Sequence, residues 1–339
     1  MIVAGGAPVK HLIRFAAALL GVLVFQFVFA QPLFAQPYPS RPLHIIIPFA
    51  TGGVTDIVAR TLAPVITEQM GQPVVVDNRP GGASIIGMTA CARAAPDGYT
   101  ICIANPDSVS YHPHLYASLP YNPETDFAPI INLGWTNNLI VANTRMPFNT
   151  YKEMIAHARR NPGALNWATW GPGSLPDVHL QWIKRQAGVN ITAIPYKGSG
   201  QANPALFSGE ADLGWMGIGQ ASPHFKSGKL KPLVATGAPQ RTSFMPDLPA
   251  LAEEGGDPGL RSYFGVFAPA RTPGAIVDRL NTELARAIRT PPLLEFYRNY
   301  TLETIDNSAA EFAAFVKGDR ENAGKVFRGM GIKPGAAPQ

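Results

Sequence analysis

The chain has 339 residues with 33 glycines, 33 prolines and two cysteines, and its 28 basic residues outnumber 23 acidic ones. Without Lys10 and Arg14, which lie near the N-terminus, the chain has 26 basic and 23 acidic residues. That excess is too small and too scattered for nucleic-acid binding. The roughly 300 residues that follow can bury a sizeable core, which we expect in two lobes.

The first 30 residues predict a secretory signal peptide. Lys10 and Arg14 form a basic start, and the apolar run over residues 15–30 is too short for a comfortable membrane span. Val28-Phe29-Ala30 fits the small-residue cleavage rule, and Ala35 offers a second site. We therefore expect residues 1–30 to be removed on export to the periplasm. A retained N-terminal anchor is the alternative.

A strand, a glycine loop and a helix follow one another directly after the signal peptide. Leu43–Phe49 is an apolar run typical of a strand buried on both faces, and Ala50–Gly53 interrupts it. Apolar residues then recur at the four-residue spacing of a helical face: Val58, Leu62, Ile66 and Met70. Unpaired N–H groups at such a helix start attract an anion. Asp56 either caps this helix or faces the ligand.

The same alternation of strands and helices continues to residue 105 and predicts a mostly parallel sheet. Strands are expected at Val74–Asp77 and Tyr99–Ala104, with a helix at Gly87–Ala94 between them. Cys91 falls in that helix and Cys102 in the second strand. In an exported protein a disulfide is possible, and two separate buried thiols are the alternative.

Two more strand–glycine loop–helix units occur in the middle of the chain. Leu165–Thr169 runs into Trp170–Ser174, and Ile191–Tyr196 runs into Lys197–Gly200. Ligands of open α/β sheets bind beyond the carboxyl ends of strands, so we expect these loops to meet the first one at a cleft. Capping boxes at Thr150 and Ser308 predict the starts of two helices.

The sequence contains no persuasive catalytic set. The loop at Gly171–Ser174 is not a G-x-S-x-G motif, and no base is placed beside Ser174. Scattered carboxylates such as Asp177 and Glu210 do not form an acid–base pair. We therefore expect no enzyme activity, no metal site and no cofactor.

The motifs P-F-A-T-G-G-V-T-D-I-V-A-R, V-V-V-D-N-R-P-G-G and A-P-D-G-Y-T resemble the Bug family, the periplasmic solute receptors of tripartite tricarboxylate transporters. The resemblance extends over residues 38–334. It implies a two-lobed type II periplasmic-binding-protein fold with two crossing strands as the hinge. Residues 38–138 and 262–334 would form lobe 1, and residues 139–261 would form lobe 2.

The resemblance also implies a carboxylate held at Ala50–Thr55 and, across the cleft, at Gly171–Ser174. This sequence departs from the family pattern at Thr51, where proline is usual, and at Gly217–Gly219, where the family commonly carries an aspartate. The candidate ligand-binding residues all lie in loops or at strand ends: Ala50, Thr51, Gly52, Gly53, Thr55, Asp56, Arg79, Asn105, Ser108, Trp170, Gly171, Gly173, Ser174, Tyr196, Lys197, Met216 and Phe264.

These residues predict a carboxylate ligand, a di-acid that can also be aromatic, in preference to an amino acid. Lys197 and Arg79 could meet a second carboxylate. Trp170, Trp215 and Phe264 could wall a flat ligand or simply pack the lobes together. The expected partners are the ligand and membrane transporter subunits, with the receptor as a monomer. An enzyme on the same bilobal fold and a receptor feeding a sensor protein are the alternatives.

Overall fold

The computed structural model describes residues 38–238 and 240–337, and residues 41–337 belong to one compact unit. The predicted signal peptide, residues 1–30, and both cleavage sites lie outside the described residues. In the described part of the chain, no helix has both the length and the apolar composition that crossing a membrane requires.

Strands and helices alternate along most of this unit. Its strands are β1 (Leu43–Ile47), β2 (Val74–Asn78), β3 (Thr100–Ala104), β4 (Phe127–Thr136), β5 (Asn138–Asn143), β6 (Asn166–Thr169), β7 (Thr192–Pro195), β8 (Leu213–Gly217), β9 (Leu230–Thr236), β10 (Ser262–Pro269) and β11 (Leu302–Glu303). Its α-helices are α1 (Val54–Met70), α2 (Ile85–Ala92), α3 (His112–Leu115), α4 (Tyr151–Arg160), α5 (Leu175–Ala187), α6 (Ser199–Ser208), α7 (Ile218–Lys226), α8 (Gly274–Ala287), α9 (Pro291–Tyr300) and α10 (Ala309–Gly329). A π-helical turn (Asp107–Tyr111) precedes α3, and a 3-10 turn (Leu251–Glu254) follows β9.

The first sheet has six strands in the order β11-β4-β10-β3-β1-β2. β1 pairs in parallel with β2 and with β3, which makes it an interior strand. This position explains its apolar composition, because Leu43, Ile45, Ile46 and Ile47 are all buried. The other pairs in this sheet, β10 with β3 and β4, and β11 with β4, are antiparallel.

The second sheet has five strands in the order β7-β6-β8-β5-β9. β6 pairs in parallel with β7 and β8, and β5 pairs antiparallel with β8 and β9. One of its cores is formed around Trp167 and Leu213, to which α4 adds Met154 and α5 adds Ile183. The apolar faces of these amphipathic helices therefore pack against this sheet.

Both sheets are mixed, whereas the sequence predicted mostly parallel sheets. The antiparallel pairs all involve β4, β5 or β10, which lie where the chain passes from one sheet to the other. The chain leaves the first sheet at Thr136, enters the second at Asn138, and returns at Ser262. These crossings fit the predicted lobes, 38–138 with 262–334 and 139–261, whose limits stay a prediction.

Both predicted capping boxes are present. The Thr150 hydroxyl accepts a hydrogen bond from the N–H of Glu153 at 3.2 Å, and Ser308 accepts one from the N–H of Glu311 at 3.2 Å. Each glutamate in turn accepts from the N–H of its capping residue. The second box starts α10, which buries Phe312 in a core of the first sheet and its later residues in a core of the second.

Besides the short α3, two longer helices were not predicted from the sequence. α7 begins at a glycine-rich stretch and contains Pro223, and α9 begins with two prolines. Glycine and proline weaken the helical signal of a short segment, although proline is well tolerated in a first turn. The start of α7 and the end of α9 contribute to the same cavity.

Cys91 and Cys102 form a disulfide, which decides between the two alternatives that the sequence left open. Their Cα atoms are 6.2 Å apart, and both residues are fully buried. The bridge connects α2 to β3 in a core of the first sheet.

Candidate functional site

A narrow cavity with about 530 Å³ of empty space, part of it open to solvent, lies where loops and helix starts of both sheets meet. It is lined by Phe49, Gly53, Val54, Thr55, Asn105, Thr136, Asn138, Trp170, Ser199, Trp215, Gly217, Gln220, Ser262, Phe264, Tyr300 and Leu302. No acidic or basic side chain is among these residues. A charged ligand would therefore have to be held by dipoles and hydrogen bonds instead of an ion pair.

The loop between β1 and α1 is stabilised by Asp56. Gly52 adopts a left-handed φ of 80°, and its N–H donates to Asp56 Oδ2 at 2.9 Å. The other carboxylate oxygen, Oδ1, accepts from Arg60 Nε at 2.9 Å. Burial alone would raise the pKa of Asp56, but the hydrogen bonds from Arg60 and Gly52 lower it overall. Asp56 thus holds the loop and does not line the cavity.

The loop between β6 and α5 repeats this arrangement. The N–H of Gly173 donates to Asp177 Oδ2 at 2.9 Å. The Ser174 hydroxyl donates to the carbonyl of Gly171 at 2.6 Å and accepts from the N–H of Trp170 at 3.2 Å. Burial raises the pKa of Asp177, although the Gly173 hydrogen bond opposes this shift. Of this loop, only Trp170 lines the cavity.

The expectation that the N–H groups of Gly52 and Gly173 are open to a ligand is therefore wrong. A carboxylate four residues further along the chain takes each of them. Ser174 also uses its N–H within the protein, toward the carbonyl of Gly171 at 3.2 Å. Gly53 is different, since within residues 38–238 and 240–337 no protein acceptor takes its N–H.

The third loop, between β7 and α6, brings Ser199 to the cavity. The N–H of Lys197 donates to Gln201 Oε1 at 3.1 Å, again four residues ahead. The Lys197 side chain is exposed and does not line the cavity. Ser199 Oγ lies 2.8 Å from the point where a Cβ atom on Gly53 would stand, so the starts of α6 and α1 are adjacent.

Hydrogen-bond donors converge at this meeting of α1 and α6. Neither helix start has a side-chain cap. Thr55 Oγ1 donates to Asn105 Oδ1 at 3.3 Å, both residues line the cavity, and the Asn105 amide nitrogen has no acceptor among the described residues. Gly53 and Ser199 complete the group. Uncapped helix starts with neighbouring N–H and hydroxyl groups favour an anion.

The remaining predicted residues lie around this site without lining the cavity. The N–H of Ala50 donates to the carbonyl of Lys197 at 3.1 Å. Ser108 and Met216 are buried, and Thr51 is exposed. The Arg79 Nε pairs with Asp77 at 2.7 Å, and the Tyr196 hydroxyl donates to Glu210 at 2.9 Å.

Aromatic side chains form the apolar walls. Trp170 packs edge-on against Phe49 at 6.4 Å and against Trp215 at 5.5 Å between ring centroids. Trp215 Nε1 donates to Thr236 Oγ1 at 2.9 Å, which fixes that ring. Phe264 also lines the cavity. The two interpretations of these aromatics are therefore compatible, because the rings pack across the two sheets and also face the cavity.

Several lining residues were missed from the sequence. Thr136, Asn138, Ser262, Gln220 and Tyr300 come from strand ends and helices far apart in the chain. The one local signal was the polar pair Asn137-Asn138, which interrupts two apolar strands. Within the described residues, no group of three or more His, Cys, Asp or Glu side chains could hold a metal ion.

A family model described as the tripartite tricarboxylate transporter family receptor matches residues 58–332. The solved structure of the periplasmic binding protein BugD is 32% identical, with a TM-score of 0.82 over 88% of this chain and 100% of that one. R. palustris Rpa4515 with adipate is 31% identical, with a TM-score of 0.80 over 88% and 99%. MatC from Rhodopseudomonas palustris with bound malate is 29% identical, with a TM-score of 0.80 over 85% and 99%.

Proposed function

The chain belongs to the family of tripartite tricarboxylate transporter receptors, and from this premise we propose that it binds a small carboxylate in the cavity between its two lobes. It then delivers this ligand, as a monomer, to membrane transporter subunits. The lobes are residues 38–138 with 262–334, and residues 139–261. The resemblance drawn from the sequence motifs is thereby confirmed, as is the two-lobed periplasmic-binding fold.

The proposal that the ligand is a carboxylate rests on one observation. The uncapped starts of α1 and α6 meet at the cavity with Gly53, Thr55, Asn105 and Ser199, and no acidic side chain lines it. A carboxylate there gains several hydrogen bonds and the favourable end of two helix dipoles. The bound adipate and malate in two similar structures support the same ligand class.

A di-acid is the first candidate ligand, for the same comparative reason. The predicted partners of its second carboxylate do not support this role, because Lys197 is exposed and Arg79 pairs with Asp77. The second carboxylate would instead be held by neutral groups or by water. An aromatic acid is the second candidate, on account of the aromatic walls.

The role of a receptor without catalysis is favoured by the chemistry of the walls. The groups that line the cavity are hydroxyls, amides, backbone and aromatic rings, with no carboxylate, histidine, lysine or cysteine to act as an acid, base or nucleophile. An enzyme on the same fold would have to use groups outside this set. A sensor protein as the partner remains the other alternative.

A binding assay on the mature protein tests the proposal. Thermal shift with mono-acids, di-acids, aromatic acids and amino acids identifies the class, with stabilisation of about 2.7 kcal/mol at a free concentration of about one hundred times Kd. Turnover of the same compounds is followed in parallel, and turnover without retained ligand would favour the enzyme.

The variant Gly53→Val tests where the ligand binds. Gly53 has a φ of −77°, which any residue can adopt, but the valine side chain would enter the space beside Ser199 Oγ, 2.8 Å from the Cβ position. We expect Gly53→Val to abolish binding, whereas Gly274→Val, at a helix start with no atom within 4 Å, should bind like the wild type. Binding that survives Gly53→Val would reject this location.

A further inference from the structure

A second part of the cavity wall, at the start of α7, brings three oxygen atoms close together. A Cβ atom placed on Gly217 would stand 3.7 Å from Asn138 Oδ1, 3.8 Å from Gln220 Oε1 and 3.9 Å from the carbonyl oxygen of Asn137. Glycine at this position leaves the space in front of the three oxygens free. We call this space, bounded by Asn137, Asn138, Gly217 and Gln220, the acceptor pocket.

The orientation of the Asn138 amide follows from its neighbours. Its Nδ2 donates to the carbonyl of Thr136 at 3.0 Å and to Thr136 Oγ1 at 2.6 Å. A carbonyl oxygen can only accept, so the nitrogen must face Thr136 and Oδ1 must face the cavity. Asn138 is only 5% exposed, yet over residues 38–238 and 240–337 no donor reaches this oxygen. This oxygen therefore stays available to accept a hydrogen bond from a ligand.

Two N–H groups at the start of α7 are already taken by acceptors within the protein. The N–H of Ile218 donates to the carbonyl of Asn137 at 2.9 Å, and the N–H of Gly219 donates to Thr301 Oγ1 at 3.1 Å. The start of α1 differs in this respect, because the N–H of Gly53 has no acceptor in the described residues. A carboxylate is therefore favoured at α1 and meets oxygen atoms at α7.

The pocket also lacks a negative charge. No acidic side chain lines the cavity, so an ammonium group would lose its hydration without gaining a counter-charge. A neutral donor such as a hydroxyl or an amide N–H can satisfy Asn138 Oδ1 without that cost.

We propose that the acceptor pocket binds a neutral hydrogen-bond donor, a hydroxyl or an amide N–H, carried by the carboxylate ligand. This inference rests on the proposed function, since the carboxylate must first dock at α1. It narrows the ligand to hydroxy acids or amide-bearing acids. A di-acid satisfies it when it also carries a hydroxyl group.

Two matched ligand pairs test the pocket by calorimetry. Malate is compared with succinate, which lacks the hydroxyl, and glutarate mono-amide is compared with glutarate, which has a second carboxylate. We expect the donor-bearing member of at least one pair to bind about ten-fold tighter, which is about the net value of one hydrogen bond.

The variant Gly217→Ala tests where this preference arises. The backbone φ of −65° suits alanine, and the new methyl group meets its neighbours at ordinary contact distances of 3.7–3.9 Å, so the fold should be kept. The methyl group fills the acceptor pocket, and we expect it to remove the ten-fold preference. Gly274→Ala, in open space, is the matched control and should keep the preference.

A preference that disappears in Gly217→Ala and persists in Gly274→Ala supports the proposal. Equal or weaker binding of the donor-bearing acid in both pairs overturns it, and so does a preference that Gly217→Ala leaves unchanged. In those cases acids still bind and the proposed function stands. If none of the four acids binds, no carboxylate of this class is the ligand, and the pocket assignment falls with it.

Discussion

Gly200 lies where a loop of one sheet touches a helix start of the other, and its substitution should separate binding from folding. A Cβ atom on Gly200 would stand 2.2 Å from the carbonyl oxygen of Thr51 and 3.1 Å from the N–H nitrogen of Gly53. Both atoms are backbone and cannot rotate away. Since non-bonded atoms rest about 3.5 Å apart, Gly200→Ala must push α6 from the β1–α1 loop by about 1 Å.

The cost of this displacement sets the expected loss of affinity. Overpacking by one methyl group costs about 1–3 kcal/mol. If the lobes open when the cavity is empty, the contact is absent from the free protein. The methyl group then destabilises only the bound form. At about 1.4 kcal/mol for each factor of ten, Kd should rise by about 5- to 150-fold.

Three measurements distinguish lost closure from lost folding. Calorimetry with the acid that gives the largest thermal shift should show the weaker Kd. The melting temperature of the ligand-free variant should match that of the wild type. Small-angle scattering should show that ligand reduces the radius of gyration of the wild type more than that of Gly200→Ala.

Gly318→Ala is the matched control. Gly318 is exposed within α10 and has no atom within 4 Å of its Cβ position. The substitution should leave Kd unchanged and stabilise the helix by about 0.5–1 kcal/mol. If Gly200→Ala binds as tightly as the wild type, the contact between α6 and Thr51 does not belong to the bound state, and the reasoning on closure fails.

Three further predictions follow from other parts of the chain. Replacing both Cys91 and Cys102 by serine removes a bridge with a sequence separation of 11; the unfolding free energy in urea should fall by about 3 kcal/mol, and an unchanged midpoint would contradict this. Burial raises the pKa of Asp107 from 3.8 to about 7, so the folded protein keeps a proton that the unfolded chain releases. The melting temperature should therefore fall as pH rises through this range and fall less in Asp107→Asn; equal slopes would refute the assignment. N-terminal sequencing of the protein from the periplasm should give Gln31 or Gln36 as the first residue. A retained initiator methionine would disprove cleavage.

Features that depend on residues close together in the chain could be predicted from the sequence. Burial explains why β1 is apolar except at the exposed His44, and the capping boxes at Thr150 and Ser308 started their helices where predicted. The bonds from Gly52 to Asp56 and from Gly173 to Asp177 also lie within four residues. The sequence contains the same Gly-x-x-x-Asp spacing at both sites, and this spacing indicates a carboxylate placed to accept from the glycine N–H. Such features depend on neighbours in the chain, so a linear pattern can reveal them.

The groups that meet at the cavity could not be predicted from the sequence, because long-range packing brings them together. Asn138, Ser262 and Tyr300 come together from two strand ends and a helix that lie far apart in the chain, and no periodicity links them. The pairing of Cys91 with Cys102 likewise required α2 to pack against β3. Arg79 and Lys197 fit a second carboxylate by loop position alone, but neither lines the cavity, and Arg79 pairs with Asp77. Strand order and crossings fix these placements, and both arise from contacts distant in sequence, which local propensity does not encode.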